Sequence, residues 1–189
     1  MNVYPSTTHL LPGGHASLTV PRDHSRDTLP AIAQKNDVFV LCMKDKDMSE
    51  VTTLAAIGTV VRIADKVQHS NEGISLDVEG CYKVELLDLT RTNDNLLFAE
   101  IRRAANWAPC PISPSSGILA SKLEDFLLSV PEIGQHYPAP DFSDATWVVQ
   151  RWIEILPLDT VHKRMLISQP TSELAQRFLS KLLLSENWI

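Results

Sequence analysis

The sequence predicts an α+β protein in which a strand-rich first part is followed by an all-helical second part. Before position 106, apolar residues occur in short runs that are typical of strands. After position 117, they recur at helical spacing. Between the two patterns lie three prolines that can continue neither a ladder nor a helix. We therefore expect a β-rich subdomain at 1–106, a proline-rich hinge at 107–117 and a helical subdomain at 118–189.

Five segments of the first part have the composition of strands. Residues 37–43 are almost continuously apolar, which predicts a strand buried on both faces. Residues 74–79 alternate apolar and polar side chains, which is the period of a strand with one buried face. The other predicted elements are strands at 57–63, 82–87 and 96–101, and hairpin loops at 70–73 and 92–95.

Helices are predicted once in the first part and four times in the second. Asp27 or Thr28 caps the first helix, which ends by Asn36. An apolar stripe then runs from Ile118 to Val130, and Pro131 closes that helix. Three further helices are expected to begin at Ser143, at Asp159 or Thr160, and at Thr171 or Ser172.

Composition and charge place the chain among soluble globular proteins. It has 189 residues, 44% hydrophobic and 21% charged, with a net charge of -6. Residues 1–105 carry 11 basic and 14 acidic groups, and residues 106–189 carry 6 and 9, so each part has a net charge of -3. This balance disfavours nucleic-acid and anionic-membrane partners. No apolar run reaches the roughly 20 residues of a membrane span, and no signal peptide is visible. Three widely spaced cysteines predict reduced thiols in the cytoplasm.

Signatures of catalysis and of cofactor binding are missing from the sequence. It contains no phosphate-binding glycine loop, no Gly-x-Ser-x-Gly elbow, no Cys-x-x-Cys pair and no His-Glu-x-x-His. His9, His15 and His24 match no zinc spacing and are interpreted as loop histidines. His162 and Asp159 predict a surface contact, and Cys110 is the one cysteine expected to be exposed. We expect no catalytic residue, no metal and no cofactor.

The tryptophans admit two interpretations. Packing between the strands and the helices is the favoured one. The alternative is an aromatic-lined groove near the hinge that accepts apolar segments of a partner. The candidate residues for that groove are Trp107, Trp147 and Trp152.

Read in order, several short segments resemble the N-terminal substrate-binding domain of Lon proteases, and more closely its stand-alone bacterial relatives. The matching segments are 10–14, 57–63, 76–84, 154–158 and 163–166, and together they span nearly the whole chain. The resemblance implies a PUA-like β-barrel followed by a helical bundle. It also implies that the ATPase and Ser-Lys protease modules of Lon have no counterpart in the 189 residues, so we expect neither ATP hydrolysis nor peptide cleavage.

The resemblance also directs attention to basic residues. Family members often have an arginine shortly after the second strand, for which Arg22 is the candidate. They often have another after the position of Gly80, where Lys83 stands instead and lacks the planar guanidinium fork. Arg22, Lys83, Arg102 and Arg103 are therefore candidates for contacting acidic groups of a partner, although solvated strand ends are the simpler interpretation of each residue.

The leading functional hypothesis is a non-catalytic module that binds protein or peptide segments without degrading them. The sequence leaves two alternatives open: an RNA-binding PUA-like protein, which the acidic charge disfavours, and an uncharacterised hydrolase. Short strands and the tryptophan-rich helical part also make a homo-oligomer an expectation.

Overall fold

A computed structural model of the chain describes residues 1–21, 37–44, 56–69, 73–92 and 96–185. The chain divides into two compact units, Met1–Ala104 and Ala105–Ile189. The described residues of the first unit form strands and those of the second form helices, so the predicted α+β class is confirmed. The residues predicted as a hinge, 107–117, belong to the second unit, and their role as a hinge remains a prediction.

The described part of the first unit contains six strands. They are β1 (Asn2–Ser6), β2 (His15–Pro21), β3 (Val38–Met43), β4 (Ile57–His69), β5 (Gly73–Arg91) and β6 (Leu97–Arg103). The strand order is β2-β5-β4-β3-β1-β6, and β5 pairs with β6 as well, so five of the strands form a circuit of pairings. The β1–β3 pair is parallel and the remaining pairs are antiparallel.

The strand predictions hold with one correction. The predicted strand at 37–43 is β3, and its apolar run is buried as expected. The predicted strands at 74–79 and 82–87 are instead one continuous strand, β5, because Gly80 does not end it. The first half of β5 pairs with β2 and the second half pairs with β6. The strands β2 and β6 therefore lie one after the other along the same edge of β5. The predicted helix that ends by Asn36 lies outside the described residues, as do most residues of the two predicted hairpin loops.

A tight turn precedes β2 and explains why glycine is needed there. Pro12 and Gly13 are its central residues, and the Gly14 N–H donates to the Leu11 carbonyl oxygen at 2.9 Å. Gly13 has a φ of 73°, which suits glycine at the third position of a type II turn. The Gly13 N–H donates to the Gly80 carbonyl and the Gly80 N–H donates to the Gly14 carbonyl, both at 2.8 Å. Gly13 and Gly14 thus lie opposite the single residue Gly80. This is the pattern of a β-bulge whose first residue is a glycine in the left-handed conformation.

The core of the β-rich unit follows from strand alternation. Leu18 and Val20 of β2 are buried, while Ser17 and Thr19, which alternate with them, are exposed. The buried cluster draws on β2, β3, β4, β5 and the turn, and comprises Leu10, Leu18, Val20, Phe39, Leu41, Val61, Ile63, Leu76 and Val78.

The described part of the second unit contains five helices. They are α1 (Gly117–Ser129), α2 (Pro131–Gly134), α3 (Ala145–Ile155), α4 (Thr160–Ile167) and α5 (Glu173–Ser185). Pro131 ends α1, as predicted, and also begins α2. Among the described residues, no helix combines the length and the apolarity that a membrane crossing requires.

The caps of α3 and α4 are aspartates. Asp159 caps α4, one of the two residues predicted for that role, and its carboxylate accepts from the His162 N–H at 2.7 Å. The cap of α3 is Asp144 and not the predicted Ser143. The reason is that the Ser143 hydroxyl donates to Asp141 at 2.6 Å. The Asp144 carboxylate is then the acceptor for the Thr146 N–H at 2.9 Å.

Candidate functional site

The strands β5 and β6 form a two-stranded antiparallel ribbon whose outer face carries both apolar and charged side chains. The register pairs Glu85 with Arg102 and Asp88 with Glu100, and it shifts between these pairs. The shift makes Leu87 the extra residue of a bulge, which turns its side chain away from the core. We define the ribbon face as Glu85, Leu87, Asp88, Phe98, Glu100 and Arg102.

Two large apolar side chains of the ribbon face are exposed to solvent. Leu87 is 52% exposed and Phe98 is 46% exposed. Alternation along β6 explains Phe98, because its neighbours Leu97 and Ala99 point inward and are buried. A single exposed apolar residue is ordinary on a protein surface, but two on one short ribbon make this face a candidate binding surface.

The charges of the ribbon face are mainly negative. Asp88 and Glu100 lie directly opposite each other, and both are exposed. Like charges in opposite positions destabilise a sheet, so this pair favours a cation placed between them. Arg102 is already engaged, because its Nε donates to the Glu85 carboxylate at 3.1 Å and its Nη2 donates to the same oxygen. Three carboxylates and one guanidinium give this face a net charge of -2.

The described basic residues among those singled out in the sequence have different surroundings. Arg102 is on the ribbon face, and the Arg103 guanidinium lies over the Tyr82 ring at 4.6 Å. Lys83 is only 4% exposed, and this burial lowers the pKa of its ammonium group. Arg22 lies outside the described residues. The expectation that these residues contact acidic groups of a partner remains a prediction.

The tryptophans belong to the helical unit, and the described ones have packing roles. Trp107 and Trp152 are buried, and each donates its indole N–H to a main-chain carbonyl oxygen. The acceptors are Gln169 at 2.7 Å and Leu119 at 2.9 Å. Such partners are typical of indoles in a core. Trp147 is half-buried, and Trp188 lies outside the described residues.

Trp147 takes part in a buried cluster that the sequence analysis missed. Arg151 is completely buried and makes an ion pair with Glu154, with 2.7 Å between Nε and Oε2 and 2.9 Å between Nη2 and Oε1. The Arg151 guanidinium lies 5.4 Å from the Trp147 ring and 5.5 Å from the Tyr137 ring. The Tyr137 hydroxyl also donates to Glu154 at 3.2 Å. The only local signal was the i,i+3 spacing of Arg151 and Glu154 on an apolar helix.

A second buried cation lies beside this cluster. The Lys163 Nζ donates to the Glu154 main-chain carbonyl oxygen at 3.3 Å. Burial lowers the pKa of Lys163, and the nearby Glu154 carboxylate opposes part of that shift. The cluster therefore fixes α3 against its neighbours in the helical unit.

The described histidines and cysteines are not arranged for metal binding. Among the described residues, no group of three or more histidine, cysteine, aspartate or glutamate side chains could hold a metal ion. His9 is buried, His15 pairs with β5, and His24 lies outside the described residues. The His162 ring is 2.7 Å from the Asp159 carboxylate, and both side chains are exposed. Cys110, predicted to be exposed, is half-buried.

The helical unit also has a polar groove of about 310 Å³. Its lining includes Ser115 and Ser116 at the start of α1, and Gln176, Arg177 and Lys181 of α5. The Ser116 hydroxyl donates to the Ser113 carbonyl at 3.2 Å, and the Arg177 guanidinium pairs with Glu173 at 3.4 Å. No histidine or cysteine lines the groove.

Comparisons with protein families and with solved structures identify the family of this chain. Residues 1–187 match the substrate-binding domain of ATP-dependent protease La (LON). The chain is similar to the crystal structure of a Lon N-terminal domain protein from Xanthomonas campestris, with a TM-score of 0.72, 23% identity and 95% of both chains covered. It is also similar to the N-terminal domain of a Mycobacterium avium complex Lon protease, with a TM-score of 0.64, 14% identity and 98% of both chains covered. No curated protein matches the sequence. The chain belongs to the family of LON substrate-binding domains.

Proposed function

We propose that this chain is a non-catalytic module that binds segments of other proteins through the ribbon face. The observation that carries the proposal is the exposure of Leu87 and Phe98 on one antiparallel ribbon. Membership of a substrate-binding family supports a protein or peptide as the partner. The apolar anchors would supply affinity, because burial of a leucine or phenylalanine side chain is worth about 1.5–3 kcal/mol.

The charges around the anchors determine which segments fit. Asp88 and Glu100 repel each other across the ribbon, and a lysine or arginine of the bound segment would relieve that repulsion. The client we propose is therefore an unfolded segment that combines apolar and basic residues. Acidic segments would meet a face whose net charge is already -2.

This proposal is tested by fluorescence anisotropy with two labelled 15-residue peptides that have the same apolar residues. One peptide carries four lysines and the other four glutamates. We expect the lysine peptide to bind more tightly. The double variant Leu87→Ser/Phe98→Ser is expected to weaken that binding at least tenfold, because loss of each interface anchor costs about 1–2 kcal/mol.

The control is Leu128→Ser, which removes an exposed leucine from α1 in the helical unit. Leu128 is 75% exposed, so its replacement preserves the fold and leaves the ribbon face unchanged. We expect this variant to bind like the parent protein. Equal binding by the double variant and the parent protein would contradict the proposed role of the ribbon face.

The alternatives are tested with the same protein. The negative ribbon face and the acidic chain predict unchanged mobility of an RNA probe at low salt, and a shifted probe would favour the RNA-binding alternative. Intact peptides after prolonged incubation are expected of a binding module, and cleaved ones would favour a hydrolase. We place the module in the bacterial cytoplasm, which three cysteines that form no disulfide support. Light scattering tests the expected homo-oligomer.

A further inference from the structure

The strand β2 is an edge strand of the sheet. It pairs with β5 over residues 15–21, and β5 is the only strand that pairs with it in the described ranges. The opposite edge of β2 is therefore not used by any described strand. Open edges present main-chain N–H and C=O groups that can pair with another extended chain.

The bulge before β2 determines which main-chain groups point to that open edge. The Gly14 carbonyl accepts from the Gly80 N–H, so residue 14 directs its main chain toward β5. Antiparallel pairing uses the main chain of every second residue. Ala16 and Leu18 therefore also face β5, whereas Ser17 and Thr19 direct their N–H and C=O groups outward.

Within its own seven residues, β2 lacks the usual features that prevent pairing at an edge. Over its seven residues β2 has no lysine, arginine, aspartate or glutamate, and its pairing with β5 runs without a register shift. Its one proline, Pro21, stands at the end of the strand. Natural edge strands are commonly protected by charges, bulges or central prolines. Ser17 and Thr19 have small exposed side chains, which leave room for an added strand.

We propose that the open edge of β2 binds an extended segment of an unfolded polypeptide by β-strand addition. This proposal rests on the proposed function and extends it, because it assigns recognition of the client's main chain to β2 and of its side chains to the ribbon face. Both surfaces adjoin the continuous strand β5, since β2 and β6 pair with successive parts of its same edge. Main-chain pairing tolerates many side chains, so the edge suits clients of varied sequence.

Amide hydrogen exchange measured by NMR tests this proposal, with the 15-residue lysine peptide as the probe. In the free protein, the amides of Ser17 and Thr19 should exchange fast, and those of Ala16 and Leu18 should be protected by β5. Saturation with the peptide is expected to slow exchange at Ser17 and Thr19 at least tenfold and to leave Ala16 and Leu18 unchanged. Unchanged exchange at Ser17 and Thr19 in the saturated complex would overturn the proposal.

A pair of variants at one position gives an independent test. Ser17→Pro removes an N–H that points to the open edge, where proline is tolerated in a strand. We expect it to weaken peptide binding about tenfold, the effect of losing one hydrogen bond and adding a ring at the interface. Ser17→Ala keeps the N–H and should bind like the parent protein. Circular dichroism checks that both variants are folded.

The outcomes separate this proposal from the proposed function. Normal binding by Ser17→Pro, together with weak binding by Leu87→Ser/Phe98→Ser, would overturn the edge proposal and leave the ribbon face standing. Weak binding by Ser17→Pro, together with normal binding by Leu87→Ser/Phe98→Ser, would overturn the role of the ribbon face and leave the edge of β2 as the binding surface. If Ser17→Pro instead converts a dimer to a monomer without changing peptide binding, the edge is occupied by a second copy and the proposal is wrong.

Discussion

Replacing Gly80 with alanine should destabilise the β-rich unit by about 3 kcal/mol, at the upper end of the usual effect of overpacking. A Cβ at this position would overlap the Leu11 carbonyl oxygen, which belongs to the main chain and cannot rotate away. The same glycine is held by hydrogen bonds to Gly13 and Gly14, so the turn cannot move outward without losing them. Urea denaturation followed by far-UV circular dichroism measures the loss.

The matched control for Gly80 is Gly117→Ala at the start of α1. A Cβ at Gly117 meets no atom within 4 Å, and alanine favours a helix more than glycine does. We expect the control variant to be as stable as the parent protein or slightly more stable. If Gly80→Ala is equally stable, the close approach between β5 and the turn is not the constraint that the structure indicates.

Replacing Arg151 with methionine should destabilise the helical unit by about 3–5 kcal/mol, because it leaves the Glu154 carboxylate buried without its cation. Arg151 is completely buried, and Glu154 is 5% exposed in its side chain. The four tryptophans of the chain all lie in this unit, so tryptophan fluorescence during urea denaturation reports on it directly.

Two further variants make the Arg151 prediction specific to burial. The double variant Arg151→Met/Glu154→Leu removes both charges, so it should be more stable than the single variant. Arg177→Met breaks a pair in which both side chains are exposed, and such pairs contribute little. A single Arg151 variant no less stable than the Arg177 variant would show that the buried pair does not hold the unit together.

Much of the fold could be predicted from local patterns. A continuous apolar run identified β3, and alternation identified the inward residues of the first half of β5. The union of two predicted strands into β5 could not be predicted, because a glycine such as Gly80 is compatible both with the interior of a strand and with its end. Only the approach of the Leu11 main chain shows why a glycine belongs within the strand.

The candidate site could be predicted only in part. Arg102 was identified from sequence, but Leu87 and Phe98 were not. The neighbouring leucines Leu86 and Leu87 were a signal, since two adjacent residues of a strand cannot both face the core. Which of them points outward depends on the bulge, and the bulge is set by pairing with β6.

The burial of Arg151 in the helical unit could not be predicted from the local sequence either. An arginine on an amphipathic helix is ordinarily placed on the solvated face. Here Tyr137, from the segment before the helix, covers it together with Trp147. Tyr137 lies outside the helix, so the helical pattern around Arg151 does not indicate its contact with Tyr137.

We propose that the ribbon face binds clients and leaves them intact. Photocrosslinking locates the bound peptide, with the lysine peptide carrying a benzophenone group and mass spectrometry identifying the crosslinks. We expect crosslinks concentrated on β5 and β6 around Leu87 and Phe98, to a peptide of unchanged mass. Crosslinks confined to the helical unit, or a cleaved peptide, would contradict it.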